Sequence, residues 1–266
     1  MLTFFLSLTL IGSWVDWIQR SCNGAKERVY IENIPVERML PGELREVVSE
    51  LAVRCQRLPV EPSLDKTSGA ILDGREGVIV DIDQTVANAL SAVSGTNVKL
   101  VQRSLPTRYN KISLQQVRYC IGTYQTGFTG SNARYRNIET ACRSVNNTIV
   151  WPGQEFSFNG STGPRTAEFG YLPAPIIAGG DFGMGDGGGV CQASSTLYNA
   201  ARQARLLVTE RHAHSKPVHY VPAGKDAAVS FDDQNLRFVN PRSQPVIIKM
   251  WLAQGTVSAE IWGGDN

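Results

Sequence analysis

The residues of this chain best suited to covalent chemistry are one cysteine and a cluster of histidines. Cys191 ends the run Gly187-Gly188-Gly189-Val190-Cys191, and His212, His214 and His219 all fall within eight residues of one another. Consecutive glycines let backbone approach a ligand closely or take positive φ. The stretch that follows places Ala193, Leu197, Ala200 and Ala204 on one helical face, so Cys191 stands at or near a helix N-terminus. Unpaired N–H groups and the helix dipole favour a thiolate there, and the amides of Gly189 to Gln192 are candidates to hold an oxyanion beside it. In an extended strand His212 and His214 share a face while His219 has the opposite parity. Either of the first two is a candidate base, and a Cys/His pair is the minimum apparatus for acyl transfer. Two other readings compete: a zinc site made by His-x-His and the thiolate, and histidines that are simply satisfied surface or core groups, the preferred reading for His219. A nucleotide site is discounted, because the glycine run lacks the Gly-Lys-Ser/Thr ending of a phosphate loop and no G-x-G-x-x-G lies between a strand and a helix.

The elements that must position these groups come from a chain of 266 residues, 42% hydrophobic and 19% charged, enough to bury a core and too apolar for wholesale disorder or a coiled-coil rod. Its net charge of +2, from 26 Lys and Arg against 24 Asp and Glu, is too balanced for a general nucleic-acid binder, and none is expected as a partner. Five cysteines, Cys22, Cys55, Cys120, Cys142 and Cys191, with no C-x-x-C pair exclude a zinc ribbon and a dense disulfide framework. Cys120 and Cys142 are candidates for one disulfide if the protein is exported. No metal and no cofactor is expected.

Residues 1–25 read as a signal or anchor segment. The apolar run Leu2 to Val15 is short for a membrane-spanning helix, and no Lys or Arg precedes it. Export, with attachment to the cytoplasmic membrane through this segment or secretion to the cell wall, is the expectation. Residues 28–104 alternate short strands with helices and form a small α/β module. Its first helix, Pro41 to Arg57, carries Leu44, Val47, Val48, Leu51 and Ala52 as one apolar stripe that Cys55 continues, and a second runs from Asp83 to Ser94. Asp73 to Gly77 reads as a hairpin turn between two β-prone runs. After a linker at 105–117, residues 118–263 are richer in Gly, Asn, Ser and Thr, with β-prone runs around Ile149 to Phe158 and Pro245 to Leu252. A helix is expected over Asn132 to Val145, with Ile138, Ala141 and Val145 inward and Asn132 as N-cap. The fold class is α+β: a small α/β module, then a β-rich domain whose helix begins at the glycine loop.

Five ordered blocks, WPGQEFSFN (Trp151 to Asn159), GYLPAPII (Gly170 to Ile177), GGGVCQASSTLYNA (Gly187 to Ala200), ERHAHSKPVHYVPAGKDAAV (Glu210 to Val229) and LRFVNPRSQPVII (Leu236 to Ile248), resemble the VanW domain family over about Arg118 to Gly263. Residues 28 to about 105 more loosely resemble the peptidoglycan-binding module that often precedes VanW or L,D-transpeptidase domains. The resemblance implies an extracytoplasmic bacterial protein acting on peptidoglycan stem peptides, from a family named for its place in vancomycin-type glycopeptide-resistance clusters. Members have been proposed to be L,D-transpeptidases with the cysteine of the GGG-x-C-Q motif, here Cys191, as nucleophile. The family's R-x-x-H-S element falls on Arg211 to Ser215 and favours His214 over His212 as base. Ser195 stands where many relatives have threonine, and the H-G-C arrangement of the better-known L,D-transpeptidases is absent. On this reading Gly188, Gly189, Gln192, Ser194, Ser195, Tyr198 and Ser215 line the substrate site, Arg211 meets a stem-peptide carboxylate, and Asp226 orients the base. The alternative is a non-catalytic peptidoglycan-binding or accessory resistance protein in which Cys191 is merely buried.

Overall fold

The computed structural model describes residues 14–178 and 181–264, which divide into two compact units. The first takes the chain up to Glu61 together with Gly74–Arg108; the second takes Pro62–Asp73 and the chain from Tyr109 onward. The architecture is mixed α+β in many small sheets. Of the apolar run Leu2 to Val15, residues 2–13 lie outside the described residues; residues 14–23 are helical, and no described helix is long and apolar enough to cross a membrane.

In the N-terminal unit, Pro41–Cys55 is helical because Pro41 pre-sets φ in the first turn and Glu43 reaches back to accept the Leu40 N–H at 2.8 Å. Leu44, Val48 and Ala52, spaced by four, are its buried line. A second helix, Ile82–Ser91, is capped by Asp81, whose carboxylate accepts the Gln84 N–H at 2.9 Å. Both pack with Ile31, Val36, Val80 and Val98 into one aliphatic core, against which Cys55 is partly buried. The segment Asp73 to Gly77 is not a hairpin turn. Ile71–Leu72 pairs with Ser63–Leu64 in the C-terminal unit, whereas Gly77–Val80 pairs with Gln102–Leu105 in the N-terminal one. Alternation of polar and apolar residues cannot distinguish adjacent strands from strands sent to different sheets.

The C-terminal unit is built on an antiparallel sheet in the order Tyr119–Gly127, Thr256–Gly263, Val246–Ala253, Thr148–Val150. Two helices, Asn132–Val145 and Val190–Gln203, bury Ile138, Ala141, Val145, Ala193, Leu197 and Ala200 in a core shared with Ile248, Val257, Ala259 and Ile261. The first of these helices spans the expected residues, but its N-cap is Ser131, whose hydroxyl accepts the Arg134 N–H at 3.3 Å, rather than Asn132. Gly122 lets the sheet approach the end of the second: a Cβ there would lie 2.7 Å from the Ala204 nitrogen. Arg237–Val239 is the centre of a second sheet flanked by Glu155–Ser157 and Leu207–Glu210, and Pro173–Ala178 pairs with Asp181–Asp186 as a hairpin. Cys120 and Cys142 are both free thiols, Cys142 sealed in the core and Cys120 exposed on its strand.

Candidate functional site

The hairpin Pro173–Ala178/Asp181–Asp186 feeds directly into Gly187-Gly188-Gly189, and the helix Val190–Gln203 starts on the next residue. Gly187 and Gly189 have φ of +79° and +107°, which a side chain would strain. Gly188 is required for a different reason: a Cβ there would sit 2.6 Å from the Pro175 carbonyl oxygen. Asn137 fixes this turn, donating to the Leu172 and Gly188 carbonyls at 2.8 and 3.0 Å and accepting the Leu172 N–H at 2.8 Å. Cys191 therefore enters the first turn of its helix from a rigid loop. The Val190 and Gln192 amides bond back to Gly187 and Gly189 at 3.0 and 2.9 Å. Among the described residues neither the Gly189 nor the Cys191 amide has such a partner, so these two are the donors left for an oxyanion, and the Gln192 amide is not.

Cys191, Ser194, Ser195 and Asn199 lie at i, i+3, i+4 and i+8, a polar stripe on one helix face. That stripe fastens the segment 225–229. Asn199 donates to the Lys225 carbonyl at 2.7 Å, Ser194 to the Ala227 carbonyl at 2.6 Å, and Ser195 accepts the Ala227 N–H at 2.8 Å. The docking brings Val229 onto the sulfur, its N–H and carbonyl each 3.5 Å from Cys191 Sγ.

The same segment delivers Asp226 to His214. One carboxylate oxygen, Oδ2, takes both the His214 backbone N–H and Nδ1 at 2.7 Å, and the other, Oδ1, takes Arg211 Nη2 at 2.6 Å. The pair is well shielded, the His214 side chain being 8% and the Asp226 side chain 11% exposed. With Nδ1 committed to Asp226, Nε2 is the nitrogen left for the thiol, and the charges of the thiolate and the imidazolium favour one another. Tyr220 Oη is 3.4 Å from the same Nε2. Burial alone would push the Cys191 thiol up, but the hydrogen bond and charge of His214, the Val229 amide and the Arg165 charge outweigh it and hold the thiol below its ordinary value. Burial likewise opposes protonation of His214, and the bonds and charges of Cys191 and Asp226 outweigh it, raising the imidazole. Burial also disfavours the Asp226 carboxylate, yet its bonds to His214 and the charge of Arg211 leave it lowered. Such a set favours thiolate, imidazolium and carboxylate together.

Of the residues expected at the site, Cys191, His214 and Asp226 come together. His212 does not: the strand ends at Glu210, His212 forms a bridge to Ala228, and its Nε2 lies 3.0 Å from Glu210 Oε1. The shared face expected of the two histidines is lost because residues 211–214 are not a continuous strand. The zinc triad goes with it, and among the described residues no group of three His, Cys, Asp or Glu side chains is arranged to hold a metal. Arg211 is spent on Asp226, its Nε donating to the Asp226 carbonyl at 2.7 Å, and is a positioning group rather than a free carboxylate binder. Tyr198 lies under it, the Arg211 guanidinium carbon being 5.7 Å from the ring centroid. Ser194 and Ser195 are fully buried, and Gln192 turns to the sheet, donating to Thr126 Oγ1 and the Gly127 carbonyl at 3.0 and 2.7 Å. These three build the site instead of facing a substrate. Ser215 is exposed beside His214.

Sequence reasoning missed Asn137, Tyr220, Val229 and Arg165. Asn137 alone left a trace, a polar residue on the apolar face of its helix next to Ile138; backbone contacts such as those of Val229 leave none.

A VanW-like family model matches residues 133–262. A protein of Bacillus subtilis (strain 168), described as uncharacterized protein YoaR, is 32% identical over 223 residues, covering 82% of this chain and 73% of its own length. No solved structure matches. A shared family model over the unit that carries the Cys191 loop, and a relative aligned along most of the chain, establish that this protein belongs to the VanW family, the family linked with glycopeptide resistance and the bacterial cell wall.

Proposed function

We propose that the protein is a cysteine acyltransferase of the cell wall, an L,D-transpeptidase-type enzyme that joins third-position residues of peptidoglycan stems through a thioester. The observation that carries this reading is the bond from His214 Nδ1 to Asp226 at 2.7 Å beside a thiol held below its ordinary value. A structural cysteine needs no such relay; a nucleophile does. The Cys191 thiolate attacks the amide carbonyl carbon of the third stem residue, and the Cys191 N–H faces the resulting oxyanion. Collapse breaks the C–N bond, and the departing amine of D-Ala takes the proton carried by His214 Nε2. The neutral imidazole then takes a proton from the amine of a second stem as that amine attacks the thioester, and the thiolate leaves. Asp226 keeps Nδ1 protonated throughout and offsets the charge of the imidazolium. No D-Ala-D-Ala donor is consumed, which is a physical reason for such chemistry to matter when a glycopeptide sequesters that dipeptide.

On the same reading the N-terminal unit is the peptidoglycan-binding module, and the protein works outside the cytoplasmic membrane, held there by its N-terminal segment. Trp14, Val15, Trp17 and Ile18, each at least half exposed on the helix of residues 14–23, suit a membrane interface.

Intact-protein mass spectrometry of the protein incubated with purified tetrapeptide stems tests the chemistry. A Cys191-dependent acyl adduct with release of D-Ala, absent in Cys191→Ala, is expected. Stems that bind without adduct or release, with folded protein and several stem types, would replace the enzyme with a peptidoglycan-binding accessory protein.

A further inference from the structure

Two cations flank the glycine turn. A Cβ on Gly187 would lie 2.8 Å from Arg165 Cγ, and one on Gly189 would lie 2.9 Å from Arg134 Cγ, so the turn leading to Cys191 is seated between two arginine stems. The absence of side chains at these glycines is what admits both. Each guanidinium is held by neutral groups: Arg134 Nη2 donates to Gln192 Oε1 at 2.9 Å, Arg165 Nη2 to Asn159 Oδ1 at 2.6 Å, and Arg165 Nη1 to the Gly163 carbonyl. Amides and carbonyls orient a guanidinium without cancelling its charge. Among the described residues neither arginine has an acidic partner within ion-pair distance, and Arg165 Nε is buried with no hydrogen bond at all. Asp226, the acid of the relay, is already occupied by His214 and Arg211. Both cations nonetheless act electrostatically on the Cys191 sulfur. Partly buried positive charge kept unneutralised beside a nucleophile is costly unless an anion completes it.

We propose that Arg134 and Arg165 form a carboxylate-binding site beside Cys191 that receives the free C-terminal carboxylate of the acyl donor, one residue beyond the scissile amide. The anion site rests on the geometry alone; its assignment to the donor's terminus rests on the acyl-transfer reading above. It selects peptides ending one residue past the cleaved bond, so the leaving group is a free amino acid. The role expected of Arg211 passes to these two residues.

The test uses two alkylating agents of similar size and opposite demand, anionic iodoacetate and neutral iodoacetamide, on the whole protein, reading Cys191 by peptide mass spectrometry. Removing a cation raises the thiol pKa, but that change affects both reagents equally and cancels in their ratio. The iodoacetate to iodoacetamide ratio at Cys191 is expected to exceed that of glutathione, to fall about tenfold in Arg134→Gln and Arg165→Gln, and to recover in large part in Arg165→Lys. A ratio equal to that of glutathione, or one unmoved by both glutamine variants, overturns the anion site. In parallel, a stem with a C-terminal amide is expected to release its last residue far more slowly than the free acid, mainly through a raised KM. Equal turnover of acid and amide, with the reagent ratio still high, overturns the assignment to the donor's terminus while leaving the acyl-transfer reading intact. A high ratio without turnover of either stem counts against acyl transfer and, with it, against that assignment.

Discussion

The two units of this protein are stabilised by similar means but differ in what they bury. The N-terminal unit closes an aliphatic core, and Thr85 is the one buried polar side chain among its described residues. The C-terminal unit buries Asn137, Asn159, Gln192, Ser194, Ser195, Thr196, Asn199, Asp226, Asn235 and Asn240 alongside its apolar core. Buried polar groups stabilise a fold only weakly and cost it dearly when unpaired. Concentrating them in one unit is therefore a sign of positioning, and most of those named fasten the Cys191 helix, the glycine turn or the 225–230 segment. The contrast recurs between two thiols of the second unit. Cys142, sealed in the core, is pushed up to about 12 by burial and by Glu139, whereas Cys191, partly buried, is brought below its ordinary value by His214 in spite of burial.

The largest effect is expected where the contrast between thiols is removed. His214→Ala should leave Cys191 a partly buried ordinary thiol, slowing its alkylation at neutral pH about 10- to 100-fold and lowering D-Ala release about a thousandfold or more. Asp226→Asn should do nearly as much to release, and to alkylation less. Next in size are core truncations. Ile138→Ala and Leu44→Ala should each cost about 2–5 kcal/mol in denaturant unfolding. Only the first should also slow Cys191 alkylation, because Ile138 packs where a Gly189 Cβ would be, its Cγ1 3.0 Å away. A pair of polar deletions sharpens the same point. Asn137→Ala, which strips three bonds from the turn, should cost about 1–3 kcal/mol and impair the thiol. Thr85→Val, which strips the bonds to the Asp81 carbonyl and the Val101 N–H, should destabilise the first unit and leave Cys191 unchanged. The smallest effect belongs to exposed pairs such as Arg45 with Asp83; Asp83→Asn should shift the thermal midpoint by no more than about two degrees.

The pH dependence follows from the same groups. Asp226 is lowered, so its contribution to stability is present above the ordinary carboxylate range and is lost as pH falls through its folded value. His214 is raised, so its contribution is complete below the ordinary imidazole value and is lost as pH rises through its folded value. Denaturant midpoints of the wild type minus those of His214→Ala should therefore shrink as pH rises through that value; a difference that grows would contradict the assignment.

Much of this was legible in the residues. The helices over Pro41–Cys55 and Asn132–Val145 follow from apolar spacing, and the position of Cys191 follows from the glycine run. The family motif points to His214, and the fold joins it to Asp226 and places its charge where it acts on Cys191. What periodicity could not supply were the interactions set by tertiary docking: the turn of His212 onto Glu210, the capture of Arg211 by Asp226, and the separate destinations of Ile71–Leu72 and Gly77–Val80. Arg134 and Arg165, 31 positions apart in the chain, become neighbours of one turn only when their helix and loop are folded.

The most direct measurement is the rate of iodoacetamide modification of Cys191 as a function of pH, resolved from the other thiols by peptide mass spectrometry with Cys142 as internal reference. The expected result is a rate that stays near its plateau down to and below neutral pH, while Cys142 remains inert in the folded protein. A Cys191 rate that climbs tenfold per pH unit up to about 8.5, as a free thiol does, would contradict the Cys191–His214–Asp226 relay on which the functional reading stands.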